Sequence, residues 1–144
     1  MIQANTYPFS QPVIWYALFH PEKSWWDRKY SHVSLAGYAP DTWIHLDLHR
    51  TGVTVAAIYE FDEKQEFLDY ITSHYHVVKM GATETPGYSF GFPITCVSVV
   101  KHVLGVRSSA LRPSGLFKSL VRNHGGEWIN APEGNQTASA SRNT

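Results

Sequence analysis

The stretch YSHVSLAGYAPDTWIHLDLH, residues 30–49, alternates between apolar and polar residues on both sides of an Ala-Pro-Asp turn signal. In its first arm Tyr30, His32, Ser34 and Ala36 fall on one face, and Val33 and Leu35 on the other. In the second arm Ile44, Leu46 and Leu48 point one way, and Trp43, His45, Asp47 and His49 the other. A period of two in each arm, broken by a turn, predicts an antiparallel hairpin with one polar face. With Tyr-Ala-Pro-Asp as the turn, its centre lies between Ala39 and Pro40. Asp47 then stands directly opposite His32, with His45 a diagonal neighbour on the same face.

Working outward, VIWYALFH (13–20) has the β-branched and aromatic character of a strand, and VTVAAIYEF (53–61) follows the hairpin as another. The pattern then changes. DEKQEFLDYITSHY (62–75) opens with acidic residues, and Phe67, Leu68, Ile71 and Tyr75 approach helical spacing, with Asp62 as an N-cap. HVVKM (76–80) reads as a short strand, and the Gly-, Pro- and aromatic-rich segment 81–94 as an ordered loop. From Thr95 or Cys96 to Leu104 the chain is apolar on more than one side and stops at Gly105, which describes a short buried helix. A further helix starts near Ser114 and also ends at glycine. Residues 1–12 read as an irregular arm, and 131–144, almost without large apolar side chains, as a flexible tail. The fold expected is α+β: an antiparallel sheet of four to five strands packed against the cysteine-bearing helix and one or two others. It occupies a single domain over residues 1–130.

Composition narrows the function classes. A chain of 144 residues, 43% of them hydrophobic, has the length and content for one packed core. The formal net charge is zero, which argues against a nucleic-acid partner. One cysteine makes no internal disulfide and suits a reducing compartment. No signal peptide or membrane span is readable at the N-terminus. The eight histidines and one cysteine carry no zinc-ligand spacing, so no metal or other cofactor is expected.

The single cysteine opens the run CVSVVKHVL. At a helix start, unpaired N–H groups and the positive end of the macrodipole favour a thiolate and can hold an oxyanion. An inert buried thiol is the better account of the position alone. The hairpin supplies what chemistry also needs: His32 as a base, and Asp47 or His45 to orient it. Trp26 and Trp43 lie near the proposed base in sequence and are expected to wall a substrate groove. His74 and His76 could hold a metal only with a further ligand beside them.

A histidine opening HVSLAGY, a polar residue on the next strand in WIHLDL, and a later TCVSVVKHVLG helix headed by cysteine resemble the circularly permuted papain-like fold. That group includes permuted NlpC-like cell-wall peptidases and the relatives of lecithin:retinol acyltransferase. The resemblance spans about residues 30–124. It implies Cys96 as nucleophile and His32 as base, with the third group at His45 (the acyltransferase-like pattern) or Asp47 (the pattern of other permuted members). Hairpin geometry favours Asp47. Thr95 precedes the cysteine where many acyltransferase-like members carry Asn. The activity implied is hydrolysis or acyl transfer at an amide, isopeptide or ester bond, on a peptide, cell-wall or acyl substrate. The alternative is a non-catalytic member of the fold with protein assembly partners, for example in a bacteriophage particle, since small permuted members are frequent in phage and bacterial genomes.

Overall fold

A computed structural model describes residues 14–39, 42–49, 52–58, 64–81 and 94–132. The N-terminal arm, the centres of the turns near 40 and 50, the Asp62 cap, most of the 81–94 loop and the tail past 132 lie outside the described residues. Elements follow in the order β1 (Ile14–His20), β2 (His32–Ala39), β3 (Thr42–His49), β4 (Gly52–Ile58), α1 (Lys64–His74), β5 (His76–Met80), α2 (Cys96–Leu104), α3 (Pro113–Asn123) and β6 (Glu127–Trp128). The fold is α+β, as expected. Its one antiparallel sheet has six strands in the order β4-β3-β2-β1-β5-β6. The strand beyond the expected five is β6, a two-residue pairing of Glu127 and Trp128 with β5.

The hairpin register differs from the expected one. Ala39 pairs with Thr42 and Leu35 with Leu46, a register shifted by two residues from the expected one. Continued, this register sets Asp47 opposite Ser34 and makes His32 its diagonal neighbour. The faces are unchanged, because the shift moves the pairing by a full side-chain period. Tyr30 departs from the expected face. It lies ahead of β2, outside the alternation, and packs with Phe19 and Phe117 in the core under α2 and α3.

Two apolar clusters sandwich the sheet. On one side Ala17, Phe19, Val33, Leu35 and Val78 meet Val97, Val100 and Leu104 of α2 and Leu116, Phe117 and Leu120 of α3. On the other, Tyr16, Leu18, Ala36, Trp43 and Val77 meet Phe67 and Ile71 of α1. Each such large aliphatic side chain contributes roughly 1.5–3 kcal/mol by leaving water. This burial is what holds α2, since four of its nine residues are valine, a weak helix former. The caps fix its ends. Thr95 accepts from the Ser98 N–H while Ser98 Oγ accepts from the Thr95 N–H, and Gly105 closes the helix at φ 65°.

Candidate active site

Cys96 is the first residue of α2 and His32 the first of β2. By strand parity His32 belongs to the α1 side of the sheet, and Cys96 packs into the α2 cluster. The two meet where strand and helix both begin, and the Cys96 sulfur is close enough to the His32 ring to raise its pKa. On the same ring, Nε2 donates to Asp47 Oδ1 in a short contact, which leaves Nδ1 for the sulfur. Nucleophile, imidazole and carboxylate are thus contiguous, in the arrangement a base and its orienting group require.

Around them are polar groups that sequence reasoning did not single out. Ser34, almost fully buried, has its hydroxyl 3.2 Å from His45 Nε2 and 3.4 Å from His20 Nε2. A hydroxyl can donate to one imidazole and accept from the other. His20 pairs with His32 across β1 and β2, with ring centroids 5.0 Å apart and nearly perpendicular. His49 Nε2 lies 3.8 Å from Asp47 Oδ2. His45, the other candidate for the third group, is therefore engaged by Ser34, and Asp47 is the group on the base. The signal for Ser34 was its parity with His32 on the same strand, and that for His20 is readable only once β1 is known to pair with β2.

The charges sort themselves. Burial alone would lower the His32 pKa. The hydrogen bond to Asp47, then the hydrogen bond and charge of the Cys96 sulfur, outweigh it and bring the ring to about 9. Burial would raise Asp47, at 8% exposure, but the hydrogen bond and charge of His32, with His45 and His49 nearby, hold it below the usual carboxylate range. His20 is lowered to about 4, by burial first and then by the charge on His32. Burial, with His49 and His32 adding to it, lowers His45 as well. At neutral pH the site holds one imidazolium and one carboxylate beside two neutral imidazoles. Among the described residues no group of His, Cys, Asp and Glu has metal-binding geometry, the pair His74 and His76 included.

The two tryptophans fare differently. Trp43 does not wall a groove. It is 3% exposed, with its ring 4.5 Å from that of Phe67 and 5.5 Å from that of Tyr16, because α1 covers that half of the His32 face. Trp26 is half-buried against the α2 and α3 cluster and lines a cleft with Trp25, Arg28 and Arg112.

Comparison with protein-family models, with curated proteins and with solved structures returns no match.

Proposed function

We propose that the chain is a thiol hydrolase or acyltransferase of the permuted papain-like kind, with Cys96 as nucleophile, His32 as base and acid, and Asp47 as the orienting group. The observation that carries this reading is the contact of Cys96 with a His32 ring whose far nitrogen is bound to a buried carboxylate. The Cys96 sulfur attacks a carbonyl carbon, forming a C–S bond and moving the carbonyl π pair onto oxygen. N–H groups at the start of α2 are the donors for that oxyanion. As the C=O re-forms, the C–N or C–O bond breaks, and His32 gives its proton to the departing atom. Water, or an acceptor hydroxyl or amine, then attacks the thioester. His32 removes its proton and the C–S bond breaks, returning the thiolate.

Alkylation with iodoacetamide at mildly acidic pH, followed by intact mass, tests the reading. The expected result is labelling of the folded protein that is lost in Cys96→Ser and slowed strongly in His32→Ala. Labelling no faster than for an unfolded control peptide sinks it. A second reading, a non-catalytic module of the same fold, is favoured by the 7% exposure of Cys96 within an apolar cluster. In that case labelling tracks unfolding.

A further inference from the structure

The charge balance of zero conceals a strong segregation. Between Glu84 and Glu127 there is no Asp or Glu, while Lys101, Arg107, Arg112, Lys118 and Arg122 fall in that interval. Lys101 is turned to structural use, donating to the carbonyls of Ser108 and Ala110 at 2.9 Å each. The others border two clefts on the outside of α3. One, of about 440 Å³, is lined by Trp25, Trp26, Arg28, Arg112 and Lys118 among others. The second, of about 560 Å³, includes Lys118 and Arg122, so the two clefts share Lys118. Asp27 is the one carboxylate there, and its oxygens are spent on the N–H groups of Lys29, Tyr30 and Ser114. Among the described residues no carboxylate pairs with Arg28, Arg112, Lys118 or Arg122.

Beside these cations stands Trp25, 98% exposed. A basic track with a free aromatic face is the combination that binds a phosphate backbone and stacks a base. We infer that the α3 face, from Trp25 through Lys118 to Arg122, binds single-stranded nucleic acid. The shared Lys118 makes the track continuous, which suits a polymer. An acidic peptide would satisfy the cations and leave the Trp25 ring with nothing to stack on it. The neutral total charge argues against such a partner only for an evenly spread charge; here the cations are gathered on one face, and an electrostatic footprint is set by local charge. Neither cleft is lined by Cys96, His32 or Asp47.

The test is anisotropy of a fluorescein-labelled oligothymidylate titrated with the whole chain, with a polyglutamate peptide as competitor. Four phosphate contacts predict a fall in affinity of about fiftyfold between roughly 50 and 200 mM salt. Trp25→Ala should weaken binding about tenfold by loss of stacking, and Lys118→Glu at least as much. Lys64→Glu, a matched charge change on α1, should stay within about twofold because no phosphate contact is lost there. The inference is overturned if the oligonucleotide fails to bind at low salt, if Lys64→Glu is as damaging as Lys118→Glu, or if Trp25→Ala has no effect. It is also overturned if polyglutamate displaces the oligonucleotide at equal charge.

Discussion

Two buried carboxylates, Asp27 and Asp47, share every bulk property that marks a candidate site residue, yet they occupy unlike regions. Both are nearly inaccessible, at 4% and 8% exposure, and both are held below the usual carboxylate range. Burial pushes each upward, and hydrogen bonds reverse it. For Asp27 those bonds come from backbone N–H groups: Lys29 and Tyr30 at 2.8 and 3.1 Å on one oxygen, and Ser114 at 2.8 Å on the other. These donors never titrate, so the carboxylate is a fixed strut. It caps α3 from a distant loop, where the helix's own N-cap residue, Arg112, supplies no side-chain acceptor. Asp47 instead faces the titratable rings of His32, His45 and His49. Its bond to His32 can change with a proton, which the proposed chemistry requires. What separates the structural acid from the proposed working one is the nature of its partners; depth and pKa direction are the same in both.

Reactivity should separate the two most widely. Asp47→Asn is expected to slow alkylation of Cys96 by roughly 10²–10⁴-fold, the range of a positioned acid–base group, while Asp27→Asn stays within about twofold. Equal rates in the two variants would erase the distinction.

A pH titration of stability gives the next largest difference. The His32 pKa is raised from 6.5 to about 9 on folding. The folded state therefore binds that proton more tightly, and the stabilisation is complete below about 6.5 and lost as pH rises through 9. Denaturation midpoints of the wild type should fall across that window by the equivalent of about 3 kcal/mol at most. In His32→Gln the profile should be flat there, and in Asp27→Asn it should keep the wild-type shape. The Asp27 and Asp47 contributions run the other way, present above the unfolded carboxylate value and lost as pH falls.

Stability alone should then rank Asp27 ahead. Asp27→Ala strands three backbone donors and is expected to cost about 2–3 kcal/mol in urea denaturation. A loss under about half a kcal/mol would mean water replaces the strut freely. The smallest effect is expected from Cys96→Ser. The hydroxyl keeps the His32 contact but gives up part of the packing in the α2 cluster, for a loss of about 1 kcal/mol. A loss of several kcal/mol would instead place Cys96 among purely structural residues.

Much of this was legible in the sequence, for identifiable reasons. Strict alternation over residues 30–49 assigned His32, Ser34, His45 and Asp47 to one face, and that survives even the shifted register. The Cys96 helix was readable from its apolar run and Gly105, and it starts at Cys96 with Thr95 as its cap. Trp43 was misplaced because periodicity says which face a residue takes, not which part of that face a helix covers. Asp27 escaped altogether. Its bond to Ser114 spans 87 residues, and the only local hint was a helix opening at Arg112-Pro113 without a capping side chain.

The sheet order also has a consequence in time. His32 and Asp47 lie on the β2–β3 hairpin, whose pairing closes a short loop, so that half of the candidate triad can form early. β1 is pairing-competent with β2 from nearby but must wait for β5, across the whole meander and α1, before the far half of the sheet exists. Cys96 follows later still in the chain and reaches His32 only when α2 docks. The expected order of assembly is therefore the His32–Asp47 pair first and Cys96 last, so an emerging chain carries a thiol without its imidazole partner until its fold is nearly complete. Pulsed alkylation during refolding would read this as rapid labelling that appears after the hairpin signal. Rapid labelling from the start would reverse the order.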